Sequence, residues 1–328
     1  SCALFDARGA LVANAPHIPV HLGSMGDAVA DLLAQIQRGE RPALVAGDTV
    51  ISNDPFHGGT HLPDITAITP VFAPGAPHPF AFVACRGHHA DVGGLTPGSM
   101  PPFSQTIDQE GWLVRNHWLI RAGELCHASW VACLQEAAIP PRDLALLWAD
   151  LQAQSAANHL GVDLLQELLQ IEGEARLLCY LQHVQDHAAA TVRRLLDGFQ
   201  DRAFQVELDN GACLTLAVRM DREQRSATLD FSGTSAQGYH NFHAPLAVTK
   251  AAVLYVLRCL VDEPIPLNAG CFLPLTLLVP EGSLLNPRPP AAVVAGNVET
   301  SQAVCNLLFA CFGAVSYTHL RAHETSFH

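Results

Sequence analysis

A change of hydrophobic period constrains this chain more than any other feature. Between Arg142 and about Gly198, the segments DLALLWADLQAQSAANHLGVDLLQELLQ and ARLLCYLQHVQDHAAATVRRLLDGF repeat Ala, Leu, Gln and Glu at helical spacing, with a break expected near Gly173. The flanking regions alternate instead. From Ser1 to about Pro141, ALVAGDTVI (43–51), ITAITPVF (65–72) and FAFVAC (80–85) read as short strands punctuated by Gly and Pro. One helix interrupts them, with Ser24 as its cap, Val29, Leu32, Leu33 and Ile36 at helical spacing, and Gly39 as its stop. Beyond the helical pair, FQVELDNGACLTLAVRM and SATLDFSG alternate around Asp209-Asn210-Gly211, a strong hairpin signal. A helix over 247–261, a strand in PLTLLVPEG and a last helix after Gly296-Asn297 follow.

Such a succession fits neither a pure helical bundle nor a pure β-sandwich. The expected fold class is mixed α/β of the α+β kind, multi-lobed. It comprises a strand-rich lobe (1–141), a helical hairpin (142–200) and a mixed α/β part (201–315). The last thirteen residues, SYTHLRAHETSFH (316–328), share no period with the helix before them and are expected to be a non-native tail. The opening SCALFDARGALV reads as a strand entering a turn at Asp6 to Gly9, so the first residue is expected to be a cut end.

Composition narrows the function classes. With 328 residues, 49% apolar and 15% charged, the chain can bury a large core, which excludes disorder for its body. Eighteen Lys and Arg against 31 Asp and Glu leave a net charge of −13, which repels nucleic acid and anionic membrane surfaces. No apolar run reaches the roughly 18 residues of a spanning helix, and a cytoplasmic location is expected. The ten cysteines are scattered without a CxxC pair and read as reduced core residues, including Cys85 at the end of an apolar strand.

The densest polar cluster is NDPFHGGTHLPD (53–64), followed by CRGHHADVGG (85–94). His61 and Asp64 flank Pro63, which forces a bent, extended segment rather than one helical face. His88 and His89 follow an apolar strand, where side chains emerge at the sheet rim. Imidazoles and a carboxylate without thiolates suit Mn²⁺, Zn²⁺ or Fe²⁺ in a site with open positions; each histidine taken singly reads first as a hydrogen-bonded loop residue, and it is the two clusters together that bring the metal reading level with it. His57 and His89 are candidates to orient a ligand from outside the metal's immediate contacts. In APHIPVHLGSM (15–25), His17 and His21 fall on one face of a strand-like stretch, read as a rigid lead into the helix rather than as catalytic residues. There is no GK[ST] and no GxGxxG after a strand, so no nucleotide cradle is expected. AGNVETSQ (295–302) runs from an apolar strand into a helix start, whose N–H groups can hold an anion or be capped by Asn297 or Thr300.

At HGGTHLPDITAITPVF, CRGHHADVGGLTPGSMPP, NAPHIPVHLGSM, LRCLVDEPIPLNAGC and PEGSLLNPRPPAAVVAGNVETSQ the chain resembles the hydantoinase B/oxoprolinase family, from Ser1 to about Val315. That family includes the B-type components of ATP-dependent hydantoinases, the C-terminal half of 5-oxoprolinase and the alpha subunits of acetone-type carboxylases. The resemblance implies ATP-dependent opening of a cyclic amide, 5-oxoproline or a hydantoin. ATP would be bound by a hydantoinase A-type subunit or fused half, so that a hetero-oligomer is expected. It assigns His61, Asp64 and His88 as ligands of a divalent metal, Mn²⁺ or Zn²⁺, with His89 or His57 as the proton shuttle. Asn241, Asn297 and Thr300 are the substrate- or anion-binding candidates.

Departures from the family pattern are also legible. A further acidic ligand is expected just before SCALFD, outside this sequence. Where relatives read GNxNAP, the chain has His240-Asn241-Phe242-His243-Ala244-Pro245. The carboxylase branch and an inactive docking module are the competing readings.

Overall fold

The computed structural model describes residues 1–15, 17–21, 23–263 and 265–313; the expected tail, 316–328, lies outside the described residues. Strands β1 (Cys2–Asp6) and β2 (Leu11–Ala15) form a hairpin. Its turn is closed by the Asp6 carboxylate, which accepts from the amides of Arg8 and Ala10. Helix α1 (Met25–Gln37) stops as expected at Gly39, whose φ of +71° lets the Glu40 amide donate back to Gln35 O. Its start differs from expectation. Ser24 has helical φ/ψ and caps nothing; its Oγ accepts from Arg86 Nη1 at 2.6 Å. A buried guanidinium makes the stronger, charge-assisted bond and takes the hydroxyl from the backbone.

Strands β3 (Thr49–Ser52), β4 (Asp64–Phe72), β5 (Pro79–His88), β6 (His117–Arg121) and β7 (Glu124–Leu125) complete a seven-stranded antiparallel sheet of order β2-β1-β5-β4-β3-β6-β7. The strand expected from Ala43 begins only at Thr49. Asp48 holds the preceding residues in a turn by accepting from the amides of Val45 and Ala122. A second helix, α2 (His127–Gln135), lies in the stretch read as containing one; only Trp130 and Leu134 of it are buried, too few to write a periodic stripe.

Strand β4 is buried along its whole length, because helices cover both faces of the sheet. On one face, Met25, Val29 and Leu32 of α1 share a buried cluster with Phe5, Val50, Ile68 and Phe82. On the other lies the expected hairpin, α3 (Leu144–Glu172) and α4 (Glu174–Leu196), broken at Gly173. Leu147 and Leu151 join Ile65 and Ala67 in one cluster. Leu165, Leu169, Leu177 and Leu181 join Val71 and Val83 in another. Each buried leucine contributes about 2 kcal/mol, so this face holds the hairpin in place. Gln154 and Asn158 of α3 add polar ties, donating to the carbonyls of Ile65, Cys85 and Ala67.

Strands β8 (Arg202–Glu207), β9 (Cys213–Asp221) and β10 (Ser226–Asp230) follow, then α5 (Leu246–Leu260), β11 (Leu275–Leu278) and α6 (Ser301–Cys311). The second sheet has the order β11-β10-β9-β8, parallel only between β10 and β11. Helices α5 and α6 share with it the largest buried cluster, including Leu216, Leu229, Val253, Leu257 and Leu308. Lys250 Nζ pairs with Asp27 at 2.7 Å, and the amides of Val293 and Val294 donate to Glu110, so the two parts of the fold are tied by an ion pair and by hydrogen bonds as well as by packing. The expectation of a mixed α+β fold holds.

Candidate metal centre

The loop 53–64 is shaped by its own polar residues. Asn53 donates to Leu62 O and Trp112 O and accepts from the Val114 amide. Asp54 accepts from the Phe56 amide and from His57 Nδ1 at 2.7 Å. Gly58, at φ +97°, brings the loop against α1 so closely that a Cβ there would fall on the backbone of Asp27 and Ala28. The bent segment expected at Pro63 is present, with the Asp64 amide donating to His61 O.

That bend and the strand register bring His61, Asp64 and His88 together. Asp64 opens β4 and His88 closes β5, and they are register partners. Asp64 Oδ1 lies 3.0 Å from His88 Nδ1, and Oδ2 lies 2.9 Å from His61 Nδ1. The His61 and His88 rings stack with centroids 5.1 Å apart. Thr60 Oγ1 donates to Oδ2 at 2.6 Å. Beneath them Arg86, fully buried, donates to Thr66 Oγ1, Ser24 Oγ and Gly58 O; burial pushes its pKa down to about 10, against the pull of Asp64 and Asp27.

Sequence reasoning missed His21. It is 1% exposed, its Nε2 lies 3.1 Å from Asp64 Oδ2, and its Nδ1 lies 3.0 Å from Ser1 Oγ. The strand-like stretch expected here is a 3₁₀ turn, Pro19–His21, which buries His21 and leaves His17 exposed, so the two do not share a strand face. The spacing of prolines around HIPVH was the available signal.

Burial opposes ionisation of Asp64, but the electrostatic pull of the His61 ring and the close contacts with His21, His61 and His88 outweigh it and hold the carboxyl well below the usual range. His88 is raised by its bond to Asp64, while burial lowers His21. His61 Nδ1 and His21 Nε2 are both close to the carboxylate but off the axis of a hydrogen bond, and both are buried without a hydrogen-bond partner. Orphaned imidazole nitrogens beside a carboxylate are what a cation needs. Ligand atoms of His61, Asp64 and His88 lie within 4.8 Å of one another, so the donor set fits a divalent metal.

The remaining candidates lie elsewhere. His57 turns to Asp54 and lines a cleft with Asp27 and Lys250. His89 leaves the sheet on the α3 face, where Nε2 meets Gln154 Oε1 at 2.8 Å. Asn241 donates to Pro101 O, and its own carbonyl accepts from the amides of Ala295 and Gly296. Gly296–Thr300 is a π turn without a side-chain cap; Thr300 Oγ1 donates to Phe242 O, and Asn297 Oδ1 is buried without a partner. Two of the N–H groups considered for an anion are thus taken by Asn241.

A mixed α+β protein with a buried carboxylate among three imidazoles at its sheet rim is the class that fold and site define. The chain belongs to the hydantoinase B/oxoprolinase family, whose sequence profile matches residues 1–326. It is 43% identical over 338 residues to 5-oxoprolinase 1 of Arabidopsis thaliana and 42% identical over 331 residues to 5-oxoprolinase of Saccharomyces cerevisiae. Each match covers 96% of this chain but 26% and 25% of the relative, so the chain spans about a quarter of their length. Its fold is that of an ATP-dependent caprolactamase from Pseudomonas jessenii (TM-score 0.80, 24% identity, 95% of this chain and 54% of that one). It also matches a nucleotide-free acetone carboxylase (TM-score 0.83, 18% identity, 98% and 44%).

Proposed function

We propose that this chain supplies the metal-dependent hydrolytic part of an ATP-dependent enzyme that opens a cyclic amide, 5-oxoproline or a hydantoin. The observation that carries the reading is the convergence of His61, Asp64 and His88, in a chain over 40% identical to proteins named 5-oxoprolinase. ATP is assigned to an A-type subunit or fused half; a relative from Pseudomonas sp., named as the putative B-type component of a D-/L-hydantoinase, supports that division. Mn²⁺ or Zn²⁺, when bound by His61, Asp64 and His88, would polarise a carbonyl or lower the pKa of water. The chain's own residues do the rest. Asp64, kept ionised, supplies the negative charge; His61, buried and stacked on His88, is fixed in place. The His88 side chain is 40% exposed, which makes it the face a substrate meets.

The test is ATP consumption with 5-oxoproline, hydantoins, and acetone plus bicarbonate, after the ATP-binding partner is supplied. Turnover with a cyclic amide that is lost in a His61→Ala/Asp64→Ala variant is expected. Turnover with the ketone alone would transfer the chain to the carboxylase branch, and none with any substrate, with negligible bound metal, would leave a docking module.

A further inference from the structure

His89 stands outside the centre just described, and its surroundings define a second arrangement of donors. The amide of Gln154 has one chemically sensible orientation. Its Nε2 donates to Ile65 O at 2.8 Å and to Cys85 O at 2.9 Å, and turning it over would set Oε1 against two carbonyl oxygens. Oε1 therefore accepts, and its partner, His89 Nε2 at 2.8 Å, carries the ring proton. The other nitrogen, Nδ1, is left with a bare lone pair. It is buried in a ring 2% exposed, has no hydrogen-bond partner, and faces Asp150 Oδ2 at 3.9 Å.

Two acceptors thus confront each other across a cleft of about 10 Å³, also lined by Asp91 and Asp143. That is room for one small species. The other carboxylates are engaged. Asp91 accepts from the amides of Gly93, Gly98 and Arg142 and pairs with the Arg142 guanidinium at 2.8 Å, and Asp143 caps the first turn of α3 through the Leu146 amide. Among the described residues that line the cleft, His89 Nδ1 is the buried nitrogen without a partner and Asp150 accepts no hydrogen bond, while Asp143 is engaged through Oδ1 alone.

We propose that His89 Nδ1 and Asp150 form a second cation site, on the sheet face opposite His61, Asp64 and His88, that takes a divalent first-row transition ion such as Zn²⁺. Imidazole nitrogen and carboxylate oxygen each bind zinc at roughly 2.0–2.2 Å, so one ion reaches both across the observed gap with a bent N–metal–O angle. The Asp150 side chain, 46% exposed, gives the ion its path in and leaves positions for water. The ion would fasten the end of β5 to α3.

Zinc titration by calorimetry tests this on four proteins: wild type, His61→Ala/Asp64→Ala, Asp150→Asn and His89→Ala. Asp150→Asn alters a half-exposed position, so folding is spared even where His89→Ala proves unstable. Wild type is expected to bind two equivalents, and each of the first two variants one. Asp150→Asn should weaken only the second event, at least tenfold. Two undiminished equivalents in Asp150→Asn overturn the proposal, as does a single wild-type equivalent that survives Asp150→Asn and vanishes in His61→Ala/Asp64→Ala. A single equivalent with the opposite pattern supports the second site and removes the first, so the two ideas fail separately.

Discussion

Asp64 Oδ1 stands 3.0 Å from His88 Nδ1 because the two residues face each other across β4 and β5. Directly opposed residues of antiparallel strands project from the same face with Cβ atoms about 5 Å apart. Register, rather than loop conformation, therefore sets this half of the centre, and the bend at Pro63 adds His61 to it.

Asp64→Asn keeps the shape of the side chain and removes the one negative charge among His21, His61 and His88. Loss of a partner that merely orients a ligand costs ~10–100-fold in metal affinity, and loss of the ligand itself should exceed the upper figure. Calorimetric titration with Mn²⁺ or Zn²⁺ is the measurement; a decline smaller than threefold would show that the carboxylate does not bind the ion.

Glu110 predicts a pH dependence of stability. Burial pushes its carboxyl up to about 7, against bonds from the Val293 and Val294 amides and Ser104. The folded state therefore holds a proton that the unfolded chain releases at roughly 4.3. The stability this proton brings is complete below that value and is lost as the pH rises through about 7. The loss is about 4 kcal/mol at most. Urea unfolding between pH 4.5 and 8 should show this decline in wild type and a flatter profile in Glu110→Gln. Parallel profiles would mean that Glu110 titrates normally.

Strand alternation made part of this architecture legible and hid the rest. His61, Asp64 and His88 could be read as rim residues because strong β patterns, ITAITPVF and FAFVAC, lie beside them. The same alternation, carried one residue further, places His89 on the opposite face from His88, where Gln154 receives it; composition alone groups the two. His21 was hidden by a 3₁₀ turn that buries one histidine of a pair that a strand would have aligned. Ser24 has the residue type of a helix cap, and only the three-dimensional position of Arg86 shows why it serves another partner. Helix α2 was missed because two buried residues in nine carry no period.

Gly58 should be intolerant of any side chain. Its φ of +97° disfavours L-residues, and a Cβ would fall on the α1 backbone at Asp27 and Ala28, which cannot swing aside as a side-chain tip could. Gly58→Ala is expected to cost about 3 kcal/mol or more, the range in which overpacking and a special φ add. Thermal unfolding of the variant beside Gly39→Ala isolates the steric part. Gly39 also has positive φ but has open space around its Cβ position, so equal losses at the two sites would refute the packing argument.

Arg86 is the cation on which the loop and the centre both rest. Its guanidinium satisfies Thr66, Ser24 and Gly58 O at once, in three directions that one ammonium cannot reproduce, within a site 1% exposed. Arg86→Lys keeps the charge and leaves some of these acceptors without a donor, and breaking such a buried charged network costs about 3–5 kcal/mol when a partner is removed outright. The lysine variant should lose about half of that in chemical denaturation and weaken metal binding, because Gly58 O and Ser24 no longer hold the loop and α1 together beneath His61. A lysine variant as stable as wild type and equally competent for metal would show that Arg86 supplies charge alone and that its hydrogen bonds are dispensable.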